Sequence, residues 1–300
     1  MVHDMALQAQ QTNRMCNDDP RENLSQRDFL RLSRFIHEEC GIKMPESKKV
    51  MLEARFQKRL RILGMKTFDD YCNYLFSDEG MERELHHMID VVTTNKTDFF
   101  REPSHFDYLF KKILPEIAAK KENGAGRKIT IWSAGCSTGE EPYTLAMVTN
   151  EFAERYPERG FAWSILATDI STKVLEKARQ AIFDSERVTP IPDPMKKKYL
   201  LRSKDPNKGL CRIVPELRKT VWFRRLNFMD EDFGMEERID VIFCRNVIIY
   251  FDRPTQTRLL NKFCSQLVPG GYLFLGHSET LHGLDVPLVQ IMPTIYRKPL

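Results

Sequence analysis

The sequence predicts an α/β protein in two parts: a small all-helical domain, then a doubly wound, mostly parallel sheet with a small antiparallel β insertion. Three observations carry this. No strand pattern occurs before residue 90. From residue 128 onward, short runs of buried-strand type alternate with helical stretches, the arrangement that builds a parallel sheet with helices on both faces. Between residues 181 and 221 the alternation lapses into a stretch holding Pro190, Pro192, Pro194, Pro206 and Pro215. A structureless loop of that length is foreign to a compact domain.

The elements follow in order. Residues 1–23 are polar and aperiodic, and a flexible arm is expected there. Ser25 and Asp28, with Phe29, Leu32, Phe35 and Ile36, predict a capped amphipathic helix. Ser47 stands where it can cap a second helix, which carries Leu52, Phe56, Leu60 and Leu63 on one stripe and stops at Gly64. A third helix is expected around Phe68, Tyr71 and Leu75, and a fourth around Leu85, Met88 and Ile89. Residues 24–90 thus form the helical domain, and 91–101 a linker that contributes to the site.

The second domain takes in residues 102–300. It opens with a helix through Phe106, Leu109, Phe110, Ile113 and Leu114, broken at Asn123, Gly124, Ala125 and Gly126. Strands are expected at 128–134, 163–168, 221–225, 240–244 and 272–276. Helices are expected at about 140–156, through Val174, Leu175 and Ala178, and at 254–267. Segments 288–291 and 294–297 flank Met292 and Pro293 and suggest a terminal hairpin whose last strand runs antiparallel to the rest. The β-type pieces 211–214 and 220–223 argue for the antiparallel insertion, at about 187–222.

Composition removes whole classes of protein. With 42% hydrophobic and 29% charged residues, the chain is not collagen-like, low-complexity or wholly disordered. No apolar run approaches the roughly 20 residues of a membrane-spanning helix, and the N-terminus has no signal-peptide pattern. Seven cysteines, an odd number without a C-x-x-C pair, argue against a disulfide framework or a zinc site and for a reducing cytoplasm. A net charge of +4 is too mild to require nucleic acid.

The segment ITIWSAGCSTGEEP at 129–142 reads as a strand, a small-residue turn and a helix start. Such a turn lets backbone N–H groups approach a ligand. Neither G-x-x-x-x-G-K-[ST] nor G-x-G-x-x-G fits it. Glu140 and Glu141 at the helix start would repel a pyrophosphate. A cationic ligand without phosphates fits better, and S-adenosylmethionine, with its sulfonium and α-amino charges, is one. The competing account is that these two glutamates only complement the helix dipole. Asp169 ends the second strand, where a ribose diol is gripped in this fold; alternatively it caps the next helix together with Ser171.

Four segments resemble the CheR family of chemotaxis receptor methyltransferases: TTNKTDFFRE at 93–102, STGEEPY at 137–143, FCRNVIIYFD at 243–252 and GHSE at 276–279. The resemblance covers about residues 24–297. It implies a Rossmann-like class I methyltransferase sheet, S-adenosylmethionine as cofactor with S-adenosylhomocysteine as product, and no metal. The implied reaction is that of a protein-glutamate O-methyltransferase acting on glutamate side chains of chemoreceptors, in sensory adaptation. The implied partners are the cytoplasmic domains of those receptors, acidic helical bundles; a monomer is expected, and no nucleic-acid partner. Carried over residue by residue, the cofactor contacts would be Asn95, Thr97, Arg101, Glu141, Asp169, Asn227, Phe228, Arg245 and Asn246. In family members that bind a receptor's C-terminal tether, the β insertion carries G-x-G-x-x-x-G. Here SKDPNKG at 203–209 keeps only the last glycine.

A glutamate carboxylate has a pKa near 4.3, so at neutral pH it is already a nucleophile. No general base is required, and the seven histidines form no compact catalytic constellation. What such a reaction needs is proximity and in-line orientation. Arg101 and Tyr250 are the candidates for orienting the acceptor; without the resemblance Tyr250 would read as a core aromatic. On the second helix Lys48, Arg55 and Arg59 fall within about 40° of one another at 100° per residue. They make a candidate substrate-recognition stripe for an acidic surface, and their replacement is expected to leave stability nearly unchanged. A solvated face is the plainer account, and nucleic acid could use the same stripe. Rival readings are a nucleic-acid or small-molecule methyltransferase, and a module that senses S-adenosylmethionine without turnover.

Overall fold

The computed structural model describes residues 23–122, 128–157, 162–235 and 237–300. Of the arm expected over 1–23, residues 1–22 lie outside the described residues, as does the break at 123–126.

The first helix, α1 (Gln26–Cys40), starts where the Ser25 side chain accepts the Asp28 N–H and stops at Gly41 in the left-handed region. α2 (Lys49–Leu63) stops the same way at Gly64. Its start corrects the sequence reading. Ser47 lies inside a 3-10 turn over Glu46–Lys48, and Lys48 occupies the cap position with no side-chain bond. α3 (Phe68–Leu75), α4 (Asp78–Arg83) and α5 (Leu85–Val92) complete the domain. α4 was not foreseen, because its sequence DEGMER is too polar to show a helical period. Phe29, Leu32, Ile36, Leu52, Phe56, Leu60, Tyr71 and Met88 close into a separate hydrophobic core.

α6 (Pro103–Tyr108) runs through a π-helical turn (Leu109–Ile113) into α7 (Leu114–Glu122). The strands that follow are β1 (Ile129–Ala134), β2 (Trp163–Asp169), β3 (Ile182–Asp184), β4 (Leu200–Arg202), β5 (Leu210–Ile213) and β6 (Val221–Arg225). Then come β7 (Ile239–Cys244), β8 (Leu267–Leu275), β9 (Val289–Met292) and β10 (Ile295–Arg297). The main helices between them are α8 (Glu140–Arg155), α9 (Thr172–Gln180), α10 (Asp193–Tyr199), α11 (Pro215–Arg218) and α12 (Arg253–Gln266). Seven strands form one sheet in the order β6-β2-β1-β7-β8-β10-β9. All of its pairs are parallel except those of β10, which runs antiparallel to both β8 and β9. Every residue of β1 is buried, as expected of a central strand covered on both faces.

β3, β5 and β4 form the small antiparallel sheet. Here too a sequence expectation needs correcting. The piece at 220–223 is not part of the insertion: β6 pairs in parallel with β2 at the edge of the main sheet, and the insertion begins at Ile182 instead. The described cysteines, Cys40, Cys72, Cys136, Cys211, Cys244 and Cys264, are free and buried. No described helix is long and apolar enough to cross a membrane.

The chain leaves β1 toward β2 on one side and toward β7 on the other, which opens a crevice at the carboxyl ends of these strands. The helical domain closes over it. His37 pairs with Asp252 at 2.9 Å, the Lys43 N–H donates to the Tyr250 carbonyl at 2.8 Å, and Asn227 Nδ2 donates to the Glu39 carbonyl at 2.6 Å.

Candidate active site

The crevice holds a cavity lined from both domains. All nine residues expected to contact the cofactor line it, as do Tyr250 and Lys48; Arg55 and Arg59 do not.

The floor comes from the turn between β1 and α8. Gly135 sits at φ 85°, and a Cβ there would lie 2.6 Å from Val247 Cγ2, so glycine alone suits the position. The two adjacent glutamates part company. Glu140 is buried, bonded by Thr138 and Arg187, and does not line the cavity. Glu141 faces the cavity, with Oε1 accepting from Ser133 Oγ at 2.7 Å and Oε2 from Arg245 Nε at 2.8 Å. Asp169, 7% exposed, accepts from the Ser137 N–H at 2.8 Å and the Ser171 N–H at 3.0 Å. Burial pushes its carboxyl upward while those backbone donors pull it back. The Ile170 N–H bears on it as well, and of the roughly four acceptor sites of a carboxylate some capacity remains. Ser171, not Asp169, caps α9 by its side chain, through the Val174 N–H.

Arg245 is a positioning group for this floor. It is 2% exposed at the side chain and lies against the rings of Phe106 and Phe243, 5.0 and 5.6 Å from their centroids. Nη1 donates to the Arg101 carbonyl at 2.6 Å and faces Glu102 Oε2 and His105 Nδ1 at 3.4 and 3.3 Å. A guanidinium only donates, so His105 accepts there, and its Nε2–H donates to Thr294 Oγ1 at 2.9 Å. Burial, with Arg245 adding, pushes the His105 pKa down to about 4, which keeps the ring neutral. Glu102, His105 and His277 have ligand atoms within 4.8 Å of one another, and two of them, Glu102 and His105, face the Arg245 guanidinium.

The linker forms one wall. Ser137 Oγ donates to the Asn95 carbonyl at 3.0 Å, and Arg187 Nη2 donates to the Thr97 carbonyl at 3.0 Å. Arg101 Nη1 reaches the Lys96 carbonyl at 3.2 Å. The Asn227 side chain is engaged with Glu39 and the Met229 N–H, so it braces the wall while lining it. Tyr250 stands at the mouth with the Lys48 ammonium 5.4 Å from its ring centroid.

The basic stripe is not a free surface. Arg55 Nη1 donates to the carbonyls of Val91, Val92 and Thr93 at 3.0–3.2 Å, closing the C-terminus of α5. Arg59 makes a two-pronged pair with buried Glu84, at 2.7 and 2.5 Å. Only Lys48 of the three reaches the cavity. Helical periodicity covers Arg55 and Arg59 but not Lys48, which lies in the 3-10 turn before α2, and Arg59's partner lies 25 residues away and carried no local signal. Sequence reasoning also missed Arg187 and His105. The motif GHSE at 276–279 was noticed without a role, and its Glu279 turns out to hold the turn beyond β7.

Residues 95–295 match the family described as CheR methyltransferase, SAM binding domain, and residues 27–93 match CheR methyltransferase, all-alpha domain. The chain is 43% identical over 276 residues to a chemotaxis protein methyltransferase of Borreliella burgdorferi, covering 92% of this chain and 95% of that one. It is 40% identical over 269 residues to chemotaxis protein methyltransferase 2 of Pseudomonas aeruginosa, covering 90% and 92%. A chemotaxis protein methyltransferase of Escherichia coli is 37% identical over 291 residues, 97% of each chain.

Proposed function

This chain belongs to the CheR methyltransferase family, and we propose that it uses S-adenosylmethionine to methylate glutamate side chains on the cytoplasmic domains of chemoreceptors. That reading puts its work in the cytoplasm. The observation that carries it is one cavity joining an acidic floor, Glu141 and Asp169, to a cationic and phenolic mouth, Arg101, Lys48 and Tyr250.

The residues present fit the cofactor. Asp169 keeps free acceptor capacity for a diol, Glu141 offers negative charge to a cationic group, Phe228 supplies an apolar surface, and the Gly135 turn lets the backbone approach. When bound, the cofactor supplies a methyl group on positively charged sulfur. The chain supplies alignment: Arg101 and Tyr250 orient the acceptor carboxylate, and Lys48 draws it toward the mouth. Nothing need remove a proton, because the acceptor is already ionised.

The test is to incubate the protein with methyl-labelled S-adenosylmethionine and receptor cytoplasmic fragments. Base-labile methyl esters on glutamate are the expected product. Label on nucleic acid, base-stable label or no transfer would overturn the reading. Within it, Tyr250→Phe should slow transfer about 10-fold or more while cofactor affinity stays near wild type, since only acceptor alignment suffers. Lost cofactor affinity with normal turnover of the bound complex would remove Tyr250 from that role.

A further inference from the structure

Beyond β7 the chain turns sharply through Arg245, Asn246 and Val247 into a short 3-10 turn, Ile248–Tyr250. Asn246 takes φ 59° there, a conformation costly for a residue with a side chain. The turn is nevertheless where two cavity residues, Asn246 and Tyr250, must be placed.

A single carboxylate from the end of β8 organises it. Glu279 Oε2 accepts from the N–H groups of Asn246 at 2.8 Å and Gly276 at 2.6 Å. Its Oε1 accepts from Val247 at 2.8 Å and Ile249 at 3.3 Å. The residue is 5% exposed. A charge buried this deeply is tolerated only when donors surround it, and here all four are backbone groups of the turn and its neighbour. Gly276 packs on the same turn: a Cβ there would lie 2.6 Å from Asn246 Nδ2 and 2.9 Å from its backbone N.

We propose that Glu279 is a positioning residue that fixes the Asn246–Tyr250 turn, and through it the alignment of cofactor and acceptor carboxylate. It touches neither reactant. This inference rests on the methyltransferase reading above and deepens it.

Glu279→Gln tests it with little change of volume. A glutamine has one acceptor oxygen, so its NH₂ must face one of the two pairs of backbone donors. The turn then shifts or loses two bonds. At a temperature where the variant is folded by circular dichroism, kcat with saturating cofactor and receptor fragment should fall at least ~10-fold. An ångström of misplacement can cost about 100-fold. Cofactor affinity, which depends on Asn246, should weaken several-fold. Adding Tyr250→Phe to Glu279→Gln should cost little more than Glu279→Gln alone, because a displaced Tyr250 has already lost its role. Gly276→Ala disturbs the turn from the other side with the carboxylate intact, and should show the same pattern if Glu279→Gln does not fold. A folded Glu279→Gln or Gly276→Ala protein with wild-type kcat and cofactor affinity, or fully multiplicative losses with Tyr250→Phe, would overturn the proposal. If the wild type itself transfers no methyl, the functional reading is what fails. Glu279 is then judged by cofactor affinity: weakening in the folded variants supports the role, and unchanged affinity overturns it.

Discussion

Replacing Asp169 with alanine should weaken S-adenosylmethionine binding by about 1.5–3 kcal/mol, the value of a hydrogen bond to a charged group. That is roughly a 10- to 150-fold rise in Kd. The structure favours the upper end, because the Ser137 N–H that shapes the turn beside the cavity also loses its acceptor. Asp169→Asn keeps the volume and one oxygen, and should fall between alanine and wild type. Calorimetric titration of the folded variants measures this directly. Wild-type affinity in Asp169→Ala would show that the ligand is not gripped at the end of β2.

Charge reversal at Arg59 gives the largest stability effect. Glu84 is 1% exposed at its side chain and takes two bonds from Arg59, and a third from the Tyr71 hydroxyl at 3.1 Å. Arg59→Glu leaves it facing a like charge without water. Breaking a buried pair costs about 3–5 kcal/mol, against a total of roughly 5–15 kcal/mol for a whole domain. For a unit of this size the melting temperature should drop by about 12 °C or more. Arg59→Met combined with Glu84→Gln keeps an acceptor for Tyr71 and removes both charges, so it should recover most of the loss. Unaltered melting of Arg59→Glu would show that the pair does not form in solution. Any fall in receptor methylation by that variant reports the folding of the helical domain and not a lost docking contact.

This reverses the expectation that replacing Arg59 leaves stability nearly unchanged, and the reason is general. The stripe rests on the angular spacing of Lys48, Arg55 and Arg59 on one helix, but Lys48 lies in the 3-10 turn before α2, and whether an arginine meets solvent depends on what packs over it. The carbonyls at the end of α5 cover Arg55, and Glu84 covers Arg59.

What the sequence by itself determined is whatever depends on neighbours along the chain. Helix stops at Gly41 and Gly64, the alternation of buried strands and helices, the antiparallel terminal hairpin and the composition of the cavity lining were all legible as periodicity, punctuation or motif. Tertiary structure decided the rest. Glu140 and Glu141 are adjacent, equally acidic and at the same helix start. One is turned to Arg187, 47 residues on, and the other to Arg245, 104 residues on. The stretch around 221–225 reads both as a strand of the main sheet and as part of the insertion, and the edge that β2 offers decided for the main sheet. Glu279 gained its role only when β8 came to lie beside β7. Backbone periodicity is a local property, whereas the partner of a buried charge is chosen by long-range packing, since burial makes an unpaired charge too costly to leave.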